Sequence, residues 1–157
     1  MPPLFRALAP AVLALCTASA VAMPGLDEFG SAPHRDWLTV SGLSHHFQPD
    51  RRDWREVNPG AGLEREFTGT PWVASAGYFR NSYDRHTVYV GGRWMPLAAG
   101  AFRFGAFGLL ASGYPSPVLV LPAVSAQVGR VGANLVALPN LPGYSGYLGL
   151  QLRFALD

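Results

Sequence analysis

The chain has 157 residues, with 12 arginines and no lysine against 10 acidic residues, a formal charge of +2, and 14% charged and 49% hydrophobic residues. That length suits one domain, the charged fraction is too low for an ordinary soluble protein, and the absence of long apolar runs beyond the N-terminus excludes a helical membrane protein. With so small a net charge and no basic run interleaved with aromatics, nucleic acid is not expected as a partner.

Residues 1–22 read as a signal peptide. Arg6 supplies the positive start, the run from Ala7 to Ala14 and beyond is apolar, and small residues at Ala18, Ala20 and Ala22 allow cleavage after Ala20 or Ala22. The stretch is short for a membrane span. Cys16, the only cysteine, lies inside it behind Leu15, where a lipoprotein site would want a small residue. The mature chain is therefore expected to hold no disulfide and no cysteine-ligated metal. Residues 23–36 are an N-terminal interfacial segment. Asp27, Glu28 and Phe29 suggest a short helix, opposed by Pro24, Gly25, Gly30 and Pro33.

From residue 37 to 157 the pattern predicts an all-β fold, an eight-stranded antiparallel transmembrane β-barrel. The expected strands are 37–47, 58–67, 72–81, 86–94, 101–112, 118–128, 131–139 and 146–156, each near the length a tilted strand needs to cross a bilayer. The last is clearest: Leu148, Leu150, Leu152, Phe154 and Leu156 alternate with Tyr147, Gly149, Gln151, Arg153 and Ala155. In 86–94, Val88, Val90 and Trp94 oppose Thr87, Tyr89, Gly91 and Arg93; in 101–112, Phe102, Phe104, Ala106 and Leu110 oppose Arg103 and Gly105. Ala61, Leu63 and Phe67 oppose Gly60, Gly62, Glu64 and Glu66, while 72–81 is ambiguous. Arg93, Arg103, Arg153, Glu64 and Glu66 are expected to pair inside the barrel, where charge needs a partner. A lipocalin-like barrel would reverse the faces, and the polar face has too few charges for a soluble exterior. Trp37, Phe47, Phe67, Trp72, Tyr114 and Tyr144 fit interfacial girdles.

With the N-terminus in the periplasm, the long polar stretch 48–57 becomes the first external loop, followed by 82–85, 113–117 and 140–145, and the internal turns fall near 68–71, 95–100 and 129–130. His45 and His46 then end the first strand at the same rim as Asn81 and Ser82. A base, a hydroxyl and an amide at one rim satisfy acyl-transfer logic, although histidine and serine are also ordinary at a wet rim.

The run Ser82 to Leu97, ending Arg93-Trp94-Met95-Pro96-Leu97, resembles the third-to-fourth strand region of the PagP family of lipid A palmitoyltransferases. Phe102-Arg103-Phe104-Gly105, Pro117 to Ala123, Val136-Ala137-Leu138-Pro139 and Gln151-Leu152-Arg153-Phe154 are similar to its later strands, in the same order. The resemblance implies an outer-membrane barrel that moves a palmitoyl-like chain from a phospholipid to lipid A in lipopolysaccharide, with no cofactor and no metal, as a monomer. It implies a catalytic histidine at His46 or His45, with His46 preferred, and an acid–serine pair read here as Asn81-Ser82. Asn81 departs from the family, since an amide carries no charge. The resemblance also matches Pro122 and Pro139 to prolines that open the strand ladder for sideways lipid access, and Pro59 marks a further weak point. Gly60, Gly62, Gly91, Gly105 and Gly149, with Tyr89 and Phe107, would leave room for an acyl slot. Arg51, Arg52 and Arg55 suit lipid A phosphates. Two alternatives stay open: a lipid A deacylase at the same rim, and a structural or adhesive barrel without catalysis. Eight strands leave too little lumen for a general pore.

Overall fold

The computed structural model describes residues 22–47, 53–140 and 145–156. They form eight strands: β1 (His34–His46), β2 (Val57–Phe67), β3 (Trp72–Arg80), β4 (His86–Ala99), β5 (Phe102–Ala111), β6 (Val118–Val128), β7 (Val131–Leu138) and β8 (Tyr147–Ala155). Each pairs antiparallel with the next, and β8 returns to β1, so the barrel closes without an edge. The signal peptide expected at 1–22 lies almost wholly outside the described residues, as does Tyr144.

The connections are asymmetric. Turns 68–71, 100–101 and 129–130 lie at one end, and at the other the chain leaves β1, β3, β5 and β7 for longer connections, of which 81–85 and 112–117 lie wholly within the described residues. Glycines at positive φ, Gly100 (59°) and Gly129 (61°), make the two tightest turns.

The alternation orients the faces as expected. Val88, Val90, Leu110, Leu63, Val120 and Leu152 are exposed on the outer wall, whereas Thr87, Tyr89, Arg93, Glu64 and Arg153 are buried. In β3, where the pattern was ambiguous, Val73 and Ser75 point inward and Tyr78 outward.

Several boundaries differ from the sequence reading. β1 starts at His34, three residues earlier than expected, because His34, Arg35 and Asp36 pair with Phe67, Glu66 and Arg65. β4 runs through the expected 95–100 turn to Ala99, absorbing Pro96 at a register shift between Trp94 and Leu97. Residues 26–31 form turns, not a helix, held by Ala32 N–H donating to Glu28 O at 2.8 Å. There Phe29 packs edge-on to Phe67 at 5.3 Å and lies under the Arg65 guanidinium, which grips Asp36 through both oxygens at 2.8 Å. Phe67 is thus covered by Phe29 and leaves the girdle. Trp37 leaves it too: it is fully buried, with the Arg153 guanidinium 4.1 Å above its ring. Outward aromatic pairs at the turn end are Trp72 with Trp94 and Phe102 with Phe104, each 6.4 Å apart.

The turn-side half of the lumen is filled by charge in mutual contact. Arg93 donates to Glu64 at 2.6 Å, Arg153 reaches Glu66 at 3.1 Å and Glu64 at 3.6 Å, and Arg103 closes on Glu66. Asn134 donates to Glu64 at 3.0 Å and to Gln151 at 2.9 Å, and Gln151 donates to Ser41 at 3.2 Å. The five expected interior charges do pair, as buried ions must.

Candidate functional site

Above this plug the lumen changes character. A cavity of about 110 Å³ occupies the loop-side half. Tyr89, Phe107, Leu109, Leu121 and Val136 line its wall, Arg93, Asn134 and Gln151 form its floor, and Ser44, Asn58 and Ser82 stand on its polar side. Tyr89 and Phe107 line it as expected. Of the five glycines, only Gly149 does. A Cβ on Gly62 would lie 2.8 Å from the Tyr89 hydroxyl; on Gly91 it would meet Gly108 O at 2.2 Å, and on Gly105, Trp94 O at 1.8 Å. Those glycines admit a neighbouring strand or the Tyr89 ring and add no room to the slot.

The wall is interrupted beside the cavity. The β5–β6 ladder continues to the Leu110–Val118 pair, whereas the β6–β7 ladder begins only at Ala123–Val136. Ala111 N–H donates to Pro117 O, so odd-numbered residues of β6 bond toward β5 and even-numbered residues toward β7. The missing N–H of Pro122 is therefore missing on the β7 side, where the ladder stops. Pro139 lies one residue past the end of β7, not within it as expected, and takes no part in the ladder. Pro59 stands where β2 is unpaired on both sides: the β2–β3 ladder begins at Gly60, and the β1–β2 register slips between Ser41 and Leu43. There the Asn58 side chain stands in for a ladder bond, donating to Arg80 O at 3.1 Å.

The rim residues separate into different environments. His46 points inward and is buried; its backbone N–H donates to Glu56 Oε1 at 2.9 Å, and its Nδ1 lies 3.8 Å from the same oxygen. Its ring stacks on Trp54 at 4.5 Å and 4°. His45, next in the chain, points outward and is exposed, with Nδ1 3.4 Å from Glu56 Oε1. The Glu56 carboxyl is held below the usual glutamate range, first by the His46 backbone N–H and then by the two histidines. Ser82 Oγ lies 3.5 Å from Ser44 Oγ, which donates to Asn58 Oδ1 at 2.6 Å.

Asn81 does not join them. It is fully buried; its Oδ1 accepts from the backbone N–H of Tyr83 at 2.9 Å and of Arg85 at 3.0 Å, and its Nδ2 donates to Thr87 Oγ1 at 3.0 Å and Gly113 O at 3.2 Å. Both acceptor positions and both donors are used, so Asn81 closes the β3–β4 connection and has no group left for an oxyanion.

Arg51 and Arg52 lie outside the described residues. Arg55 is tied across the rim: it donates to Asp84 Oδ1 at 2.9 Å and to Val57 O at 2.7 Å, and its N–H to Ser82 O at 3.1 Å. The bond to Ser82 O fixes the β1–β2 loop over the β3–β4 loop. Trp54 rides on this loop between His46 and Tyr83 (5.2 Å), and Tyr83 in turn touches Tyr114 (5.8 Å), so an aromatic cap crosses the mouth. Burial raises the Tyr114 phenol well above its ordinary value.

Sequence reasoning missed Ser44, Glu56, Trp54 and Asn58. Ser44 was within reach, since it lies two residues before His46 and so on the same strand face. Glu56 and Trp54 sit in a loop, where no periodicity announces a partner.

No family model and no curated protein matches the chain. Among solved structures it is similar to the solution NMR structure of TMB2.3, a de novo designed transmembrane barrel, with a TM-score of 0.50 and 13% identity over 81% of this chain and 98% of that one. At that identity the likeness bears on the fold alone: the chain is a closed eight-stranded antiparallel barrel.

Proposed function

We propose that the barrel resides in a bacterial outer membrane and, like the PagP family it resembles, transfers a palmitoyl-like chain from a phospholipid to lipid A. The observation that carries this reading is the apolar cavity beside the β6–β7 interruption at Pro122, topped by a polar rim. A chain entering from the loop-side leaflet would lie against Leu121, Val136 and Phe107, with its ester near Ser44, Ser82 and His46. The His46 imidazole, held by Glu56 and Trp54, takes the proton of the attacking lipid A hydroxyl. The carbonyl carbon gains the new C–O bond, its oxygen takes negative charge, and the Ser82 or Ser44 hydroxyl donates to it. Collapse breaks the phospholipid ester, and the proton returns from His46 to the departing lysophospholipid oxygen. His45, outside the barrel, serves headgroup contacts instead.

One observation favours a barrel without catalysis: Asn81 stands where the family has an acid and is wholly engaged in the loop. The test is incubation of the folded barrel with labelled phospholipid and lipid A, read by mass spectrometry of the lipid A. A gain of one acyl chain upholds the transferase. Loss of a chain supports deacylation, and no change in lipid A supports the structural barrel.

A further inference from the structure

The outer wall has a polar patch at its loop end that the acyl-transfer reading does not use. Arg80 and His86 pair across β3 and β4, and Tyr78 pairs with Val88 beside them. Phe79 lines the cavity and Thr87 is buried, so alternation turns Tyr78, Arg80, His86 and Val88 outward. Tyr78 stacks on His86 and its hydroxyl bonds the His86 Nδ1. Elsewhere among the described residues, the outward positions at this height are mostly apolar, as at Leu43, Val57, Leu110, Val118 and Val120.

Charge at the patch is unbalanced in a defined geometry. Asp84, whose left-handed backbone (φ 62°) turns the loop, accepts from Arg80 Nη2 at 2.8 Å and from Arg55 Nη1 at 2.9 Å, and its Oδ1 lies 2.8 Å from Arg80 Nε as an ion pair. One carboxylate thus faces two guanidiniums, with Arg85 adjacent in the chain. Arg80 Nη1 and Arg55 Nη2 make no hydrogen bond among the described residues. Arginine forks match phosphate oxygens, and the apolar wall of Val88, Val90 and Leu110 runs directly below. A free anion would use the cations alone; a cationic patch directly above an apolar wall fits an amphiphile.

The geometry points to a binding site for the phosphomonoester headgroup of a membrane lipid on the outer face of β3–β4, with Arg80 and Arg55 as phosphate ligands, His86 as a flanking donor and the wall below for the acyl chains. This site does not depend on the acyl-transfer reading, because none of its outward side chains faces the cavity.

The full-length mature barrel in detergent, titrated with dioleoyl phosphatidic acid and separately with dioleoyl phosphatidylcholine, tests the site by native mass spectrometry. The wild type is expected to retain phosphatidic acid about tenfold better, a factor worth about 1.4 kcal/mol. Arg80→Gln should remove most of that preference, and His86→Ala, a change of an exposed side chain that leaves Asp84 paired, should reduce it severalfold. Arg130→Gln, at the opposite end in the β6–β7 turn, should leave it intact. Equal retention of the two lipids by the wild type, unchanged preference in both Arg80→Gln and His86→Ala, or an equal loss in Arg130→Gln overturns the site. Inorganic phosphate that competes as well as the lipid would also overturn it, since the wall would then contribute nothing.

Discussion

The two halves of the lumen use the same strands differently. On the turn side, Glu64, Glu66, Arg93, Arg103 and Arg153 interlock, and the ladders beside them run on without a gap except at the β4–β5 register shift around Pro96. On the loop side, aromatic and aliphatic side chains surround space, and there the β6–β7 ladder stops short and the β1–β2 register slips. The difference teaches that a small barrel can keep stability and access apart along its axis. A dense ionic plug at one end lets the other be hollow and imperfectly sealed.

If so, damage to the plug should be the most costly change. Glu64→Leu leaves Arg93 buried without its carboxylate and takes one of two from Arg153, and should destabilise the barrel by about 3–5 kcal/mol. Urea unfolding in lipid vesicles measures it; a loss below about 1 kcal/mol would show that the plug is filler rather than support.

On the hollow side, chemistry rather than stability should respond. His46→Ala should lower acyl transfer on the order of a hundredfold or more. His45→Ala should change it little, because its ring points out of the barrel. Ser82→Ala and Ser44→Ala, assayed together and apart, would show which hydroxyl carries the oxyanion contact.

Asn81→Asp sharpens the boundary between loop and site. A carboxylate keeps the two backbone N–H donors but faces Gly113 O, now at 3.2 Å from the amide nitrogen, with no proton to offer. The substitution should destabilise by about 1–3 kcal/mol and not raise activity, measured by thermal gel shift and the lipid A assay. Increased activity would return Asn81 to the site.

Pro122→Ala restores one donor toward β7. If Ala137 accepts, the ladder should extend and the barrel gain about 0.5–1.5 kcal/mol, while acyl transfer slows. Transfer at the normal rate in a stabilised variant would remove the gap from the mechanism. Pro139→Ala, outside the ladder, should have no such effect.

The smallest effect concerns pH. Glu56 is depressed below its ordinary value of 4.5, so its hold on His46 is complete above that value and is lost as pH falls through the lower folded-state value. Exchange of the His46 amide should quicken across that acidic window, and Glu56→Gln should abolish the dependence.

Much of this was readable in the residues because a closed barrel has a strand period of two and two unlike faces. Leu148 to Leu156 alternating with Tyr147 to Arg153 could face only two ways, and only one brings Arg153 to the carboxylates of Glu64 and Glu66. From that pattern follow eight strands, the inward charges and the long-loop end. That Arg93, Arg103, Arg153, Glu64 and Glu66 pair among themselves followed as well, since isolated charge could not remain in so narrow a lumen, whereas which arginine meets which carboxylate did not. Ends were harder to read: β4 ran past Pro96 because a register shift accommodates proline, and no pattern marks such a shift beforehand.

Where groups distant in the chain meet was settled by the closed barrel. Its place at a strand end suggested a girdle for Trp37, but it shares the inward face of Thr39 and lies under the Arg153 guanidinium. Asn81 and Ser82 are neighbours in the chain, yet Thr87 and Gly113 engage one and Ser44 the other. Alternation placed both histidines at the rim, and Glu56, on a loop without periodicity, met both with a single oxygen. Strand faces follow from local sterics and the solvent on each side, and so the sequence determines them by itself. The choice among partners at the rim depends on loop paths and on competition for hydrogen bonds, which exist only after the sheet has closed.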